Sequence, residues 1–215
     1  MSRPRAPAPS PTATSSFDPS NDPRLRRWVE ALVATPGLTA IADVDEAWRV
    51  HVDGSAPAIE IMREWDGPIV DVGSGGGSPG FPLAAAFPER EVTLLEAQER
   101  KAAFLERIAP DFPNVRVVRG RAEDQVTDWY LVAVARSLAS PPVAVEWCLP
   151  LVRADGAVVL LVGPSAEVER VAAVAAKVGG GVPELREGVL VIPKLEPTPE
   201  GFPRRPGVAK KRPLA

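Results

Sequence analysis

The 215-residue chain is 45% hydrophobic and 25% charged, enough to bury one sizeable core and too short for two full catalytic domains. Its formal net charge of −3 excludes nucleic-acid binding through the overall field, so any such contact needs a local basic patch. One cysteine, Cys148, excludes an internal disulfide, and no Cys/His cluster supplies a metal site; a reducing, cytoplasmic setting fits.

Residues 1–22 are rich in Pro, Ser, Thr and Ala, and little burial offsets the entropy of ordering them, so they read as a disordered leader. They hold no apolar signal region, and no later run is long and apolar enough to span a membrane. From Pro23 the spacing of Leu25, Trp28, Val29, Leu32 and Val33 predicts an amphipathic helix stopped by Pro36-Gly37. Val44 to Val52 predicts a second, and together they suggest a helical cap over residues 23–66.

Short apolar runs then alternate with helical stretches such as Gln98 to Ala109. The runs are Ile69–Val72, Val92–Leu95, Val115–Val118, Leu131–Val134 and Ala157–Val162, a pattern of βαβ units. An α/β fold with a mostly parallel sheet covered on both faces follows, its core spanning 67–193. A helix from Ser165 to Val178 and a hairpin, Val182–Arg186 with Val189–Ile192, close the domain. Residues 194–215 are too proline-rich for a helix or a central strand and read as an extended basic tail.

Asp71 to Ala84 reads DVGSGGGSPGFPLA, with five glycines in the eight residues Gly73 to Gly80. Glycines crowd a strand-to-helix turn where positive φ is needed or where something approaches the backbone closely. The next helix is expected to begin at Pro79. Glu96 ends the second strand about twenty residues on, where doubly wound folds place a carboxylate against a ribose. A nucleoside cofactor is therefore expected. Gly75-x-Gly77-x-x-Gly80 satisfies the dinucleotide fingerprint, whereas Asp71-x-Gly73-x-Gly75-x-Gly77 is the form of class I S-adenosylmethionine-dependent methyltransferases. Gly120 to Asp124, GRAED, follows the third strand and favours the methyl donor; a purely structural glycine turn is the third alternative.

Several stretches together resemble the bacterial 16S ribosomal RNA guanine-N7 methyltransferases, the RsmG or GidB family. They are Gly37-Leu38-Thr39-Ala40-Ile41, Asp71 to Pro82, Arg100 to Leu105, Ala135-Arg136-Ser137-Leu138-Ala139-Ser140 and Thr198 to Leu214. The resemblance implies a Rossmann-like methyltransferase fold with a seven-stranded sheet. It also implies methyl transfer from S-adenosyl-L-methionine to N7 of one guanine of 16S rRNA, leaving S-adenosyl-L-homocysteine, with no metal. A monomer acting on a small-subunit particle or an assembly intermediate is expected.

By the same resemblance the cofactor-binding residues are Asp71, Gly73, Gly75, Ser78, Glu96, Ala122, Glu123 and Arg136. Arg136 is the catalytic candidate, at the mouth of the site. The RNA-binding candidates are Arg100, Lys101, Ser140, Arg204, Arg205, Lys210, Lys211 and Arg212. Ser78 stands where the family has a large apolar residue, Arg100 replaces a lysine, and Gly54 falls at an aspartate position. Guanine N7 carries a lone pair and no proton, so transfer to it needs alignment and no general base, which fits the absence of an evident nucleophile and base pair. His51 reads as a helix-face residue, Trp129 and Tyr130 as core. The tail holds six basic and two acidic residues, with Lys194 among the basic ones, a composition suited to tracking a phosphate backbone.

Overall fold

The computed structural model describes residues 18–163 and 166–215. Most of the expected leader, residues 1–17, lies outside them. Its last five residues do not fit a disordered leader: Asp18 caps a 3-10 turn over Pro19–Asn21, and Asp22 accepts from the Arg24 N–H to cap the first helix. The Asp-Pro pair supplies both the capping carboxylate and a first-turn residue without a donor.

Helices α1 (Pro23–Ala34), α2 (Val44–His51) and α3 (Ala56–Met62) form the cap. There follow β1 (Ile69–Val72), α4 (Gly80–Ala86), β2 (Val92–Glu96), α5 (Glu99–Ile108), β3 (Val115–Arg119) and β4 (Tyr130–Arg136). The chain continues through α6 (Pro141–Cys148), β5 (Val152–Leu161), α7 (Val168–Ala175), β6 (Glu184–Arg186), β7 (Val189–Pro193) and α8 (Val208–Lys211). The seven strands lie in the order β3-β2-β1-β4-β5-β7-β6. β7 pairs antiparallel with both β5 and β6, as the expected hairpin requires, and the other pairs are parallel.

Alternation along each strand divides the core in two. Ile69, Leu94, Val132 and Val159 join Trp28, Leu32, Phe81 and Phe112 on the cap side. Val70, Leu95, Ala133 and Val158 join α6 and α7 on the other. Because β1 and its neighbours are buried on both faces, they read in sequence as continuous apolar runs.

Several elements differ from expectation, among them α7, which covers Val168–Ala175 and stops short of Val178, and β6, which begins at Glu184 and not Val182. β5 begins at Val152, not Ala157: Val152 pairs with Tyr130, and the register shifts before Val132 pairs with Ala157, so Arg153 to Gly156 are a kink within one strand. Helix α4 begins one residue after Pro79, which serves as its cap. The tail is not simply extended. It forms α8, and Phe202 and Leu214 pack on the α6 side of the core.

Candidate functional site

The strand order reverses beside β1, and the carboxyl ends of β1, β2 and β4 meet there, the position where open α/β sheets bind ligands. A cleft of about 280 Å³ opens at that edge, with Gly73, Glu96, Ala122, Glu123, Leu138 and Trp147 in its walls. Gly73 has φ +72°, which favours glycine, and a Cβ on it would stand 2.4 Å from the Leu138 Cδ1, which would have to move. Glu96 is 5% exposed. Its Oε2 accepts from the Gly75 N–H at 2.9 Å and its Oε1 from the Gln98 N–H at 2.7 Å, which ties the glycine loop to the start of α5.

Four expected cofactor residues, Asp71, Gly75, Ser78 and Arg136, are not among the cleft-lining residues. Asp71 is 1% exposed; its Oδ2 accepts from the Gly80 N–H at 3.1 Å, and its carbonyl accepts from Ser74 Oγ at 2.8 Å. It organises the turn from below, and burial raises its carboxyl to about 7. Gly75 reaches the cleft through Glu96. The close approach at Gly76 is made by the protein itself: a Cβ there would meet Leu32 Cδ1 at 2.4 Å, and the Gly76 carbonyl accepts from Trp28 Nε1 at 2.8 Å. The cap is thereby locked onto the loop.

Ser78 and Arg136 build a second polar cluster against the cap. Arg136 Nη1 donates to the Val50 carbonyl at 2.8 Å and to Ser78 Oγ at 3.2 Å, and Nη2 lies 3.4 Å from His51 Nδ1. Ser78 Oγ in turn donates to the His51 carbonyl at 3.1 Å, and His51 Nε2 lies 3.4 Å from Thr39 Oγ1. Burial first, and the Arg136 charge second, lower His51 to about 4, so the ring is neutral and available as an acceptor. His51 is the last residue of α2, in keeping with the helix-face reading, and its ring faces Arg136. Positive φ at Ser137, +54°, turns the chain there, with Arg136 directed to the cap and Leu138 to the cleft.

The model of a family described as rRNA small subunit methyltransferase G, GidB, matches residues 24–180. This chain belongs to that family. A ribosomal RNA small subunit methyltransferase G from Moorella thermoacetica is 37% identical, with 82% of each chain covered. The protein of the same description from Acetivibrio thermocellus is 32% identical, over 88% of this chain and 84% of its own. A Thermotoga maritima SAM-dependent O-methyltransferase shares the fold with a TM-score of 0.57 at 16% identity, covering 77% of this chain and 74% of its own. The T. thermophilus 16S rRNA N2 G1207 methyltransferase, solved with AdoMet and guanosine, gives 0.50 at 18%, over 66% and 40%.

The family's sequence stretches meet in space. Arg100 donates to the Pro36 carbonyl and packs beside Gly37, so two distant motifs form one corner of the loop region. Lys101 lines the cleft. Ser140 is exposed at the start of α6. In the tail, two of the six cations are bonded to the body of the protein. Lys194 is buried, its Nζ donating to the carbonyls of Leu149 and Val178 and to Thr198 Oγ1. Arg204 forks onto Glu146 of α6 and keeps part of its side chain in solvent. Arg205, Lys211 and Arg212 are exposed, and Lys210, exposed at the rim, lines the cleft with its Nζ 5.2 Å from the centre of the Trp147 ring.

Trp129 is 60% exposed, not core, and lies at the amino end of β4, opposite the cleft; its neighbour Tyr130 is half-buried. Sequence reasoning missed Leu138, Trp147 and Lys210 as cleft residues. Leu138 had a signal, standing two residues past Arg136. Trp147 and Lys210 are brought together only by the packing of α8 on α6.

Proposed function

We propose that this protein transfers a methyl group from S-adenosyl-L-methionine to N7 of one specific guanine of 16S rRNA. In this reading it works in the cytoplasm as a monomer on a small-subunit particle or assembly intermediate. The observation that carries the cofactor is the hydrogen bonding of Glu96. The two oxygens of a carboxylate offer about four lone-pair positions. Gly75 and Gln98 use one on each oxygen, leaving one on each for the two ribose hydroxyls. Trp147 Nε1, buried in the cleft wall without a partner among the described residues, adds an unsatisfied donor. The site therefore fits the methyl donor, with Glu96 holding the ribose, Ala122 and Glu123 the adenine, and the Gly73 main chain the methionine portion.

When bound, S-adenosylmethionine supplies an electrophilic methyl group on a sulfonium. Guanine N7 has a free lone pair, so the protein needs to remove no proton, and its work is alignment. Holding two reactants in line contributes roughly 7–11 kcal/mol of barrier reduction. In this reading Arg136 takes part in that alignment. Its guanidinium is fixed from the cap by Val50, His51 and Ser78, and it keeps donors for a phosphate of the target nucleotide. The exposed cations of the tail, together with the helix α5 rim, bring the RNA backbone toward that mouth.

Methyl transfer from labelled S-adenosylmethionine to small-subunit particles lacking the modification, followed by mass mapping, tests the proposal. Label at a single guanine N7 supports it. Cofactor binding without label points to another acceptor, and loss of both ends the enzymatic reading.

A further inference from the structure

The C-terminal segment is knitted to the body at several points. Thr198 donates its hydroxyl to Asp128 at 2.9 Å, and Arg204 Nη2 donates to Glu146 Oε2 at 2.6 Å and to the Arg212 carbonyl at 3.0 Å. Within α8, Ala209 is 2% exposed, and beyond it Lys177 donates to the Leu214 carbonyl at 2.8 Å. Between these anchors the Gly207 N–H donates to Glu123 Oε1 at 3.2 Å. Glu123 is the carboxylate expected to lie along the adenine. The segment is thus bonded to one side chain of the cleft and contributes another, Lys210.

Lys210 is held differently from its neighbours Lys211 and Arg212. Its ammonium lies over the Trp147 ring, a face that attracts a cation, and no carboxylate partner is paired with it among the described residues. Trp147, 8% exposed, also lines the cleft, and its indole N–H is unsatisfied. The Lys210 ammonium, with three donors, and the Trp147 ring therefore border the same recess as Glu123. Adenine presents the matching set: ring nitrogens that accept, and an amino group that donates to the second oxygen of Glu123.

We propose that Lys210 contacts the adenine nucleoside of the methyl donor, so that the C-terminal segment is a wall of the cofactor cleft as well as part of the RNA-facing surface. The inference rests on the methyl-donor reading above and deepens it. It takes Lys210 out of the RNA-contacting set and leaves Arg205, Lys211 and Arg212 in it.

The test is calorimetric binding of S-adenosylhomocysteine, and of adenosine alone, to the full chain and to Lys210→Met and Lys210→Arg. Methionine keeps most of the stem over Trp147 and removes the charge. Losing a charge-assisted hydrogen bond is expected to weaken both ligands roughly tenfold or more, and arginine to restore most of it. Thermal unfolding of each variant without ligand checks that the segment stays docked. Unchanged affinity of Lys210→Met overturns the proposal while leaving the methyl-donor reading intact. So does an affinity loss that arginine fails to restore and that accompanies a lowered melting temperature. Failure of the unaltered protein to bind either ligand removes the reading on which the proposal rests.

Discussion

Arg204 is locked to Glu146, a carboxylate only 3% exposed on helix α6, through two parallel N–H···O contacts. The pair joins the tail to the helix that carries Trp147. Truncating one partner of a buried pair leaves the other charge uncompensated, typically at a cost of 3–5 kcal/mol. Arg204 keeps a fifth of its side chain in solvent, so Arg204→Ala is expected near the lower end, about 3 kcal/mol. Urea unfolding measures it. A midpoint equal to that of the unaltered protein would show that the tail is docked by its apolar contacts alone.

Arg136→Ala removes the cation held between the loop and the cap. Misplacement by about 1 Å costs roughly a hundredfold in rate, so methyl transfer to small-subunit particles should fall at least that far while the circular dichroism spectrum is retained. Arg136→Lys should rescue poorly, because an ammonium lacks the planar fork that spans Val50, Ser78 and His51. Full activity of Arg136→Ala would remove Arg136 from the mechanism, and full activity of Arg136→Lys would show that its charge suffices without the fork.

Asp71 gives stability an unusual pH dependence. Burial raises its carboxyl from 3.8 to about 7 in the fold. Between those values the folded chain holds a proton that the unfolded chain has released. The contribution is therefore fully present below about 4 and is lost as pH rises through about 7. Asp71→Asn should flatten that fall in a series of denaturation curves across the window. An identical pH profile in the variant would mean the carboxyl titrates normally.

Gly76→Ala tests the seam between cap and loop. The new Cβ would lie 2.4 Å from Cδ1 of Leu32, itself 1% exposed, so Leu32 must leave its rotamer in a packed core or the cap must shift. Overpacking of this kind costs about 1–3 kcal/mol. Denaturant unfolding should show it, together with altered fluorescence of Trp28, whose indole bonds the Gly76 carbonyl. No change in either would place the seam's strength elsewhere.

The exposed tail cations set the salt dependence of RNA binding. Each phosphate contact contributes roughly 0.7–0.9 to the slope of log K against log salt. Arg205→Ala, Lys211→Ala and Arg212→Ala are each expected to lower the slope by about that amount and to leave S-adenosylhomocysteine binding unchanged. Slopes equal to that of the unaltered protein would exclude the tail from the RNA footprint.

Periodicity and glycine placement made much of this molecule legible in the chain itself. Apolar runs four to six residues long, separated by helical stretches, specify a parallel sheet because only strands buried on both faces lack alternation. Asp71, Gly73 and Glu96 mark the ligand edge because a strand-to-helix turn with positive φ and a carboxylate one strand over are local requirements. What tertiary structure alone decided is which side chains of those motifs face a ligand and which face the protein. Asp71 turned inward, Ser78 and Arg136 turned to the cap, and Gly76 proved to be cleared for Leu32. The tail shows the reason most directly. Charge and proline content fix that it is cationic and poor in regular structure, but whether a cation meets solvent, Glu146 or the Trp147 ring depends on contacts 58 to 63 residues away in sequence. Local pattern carries no information at that range.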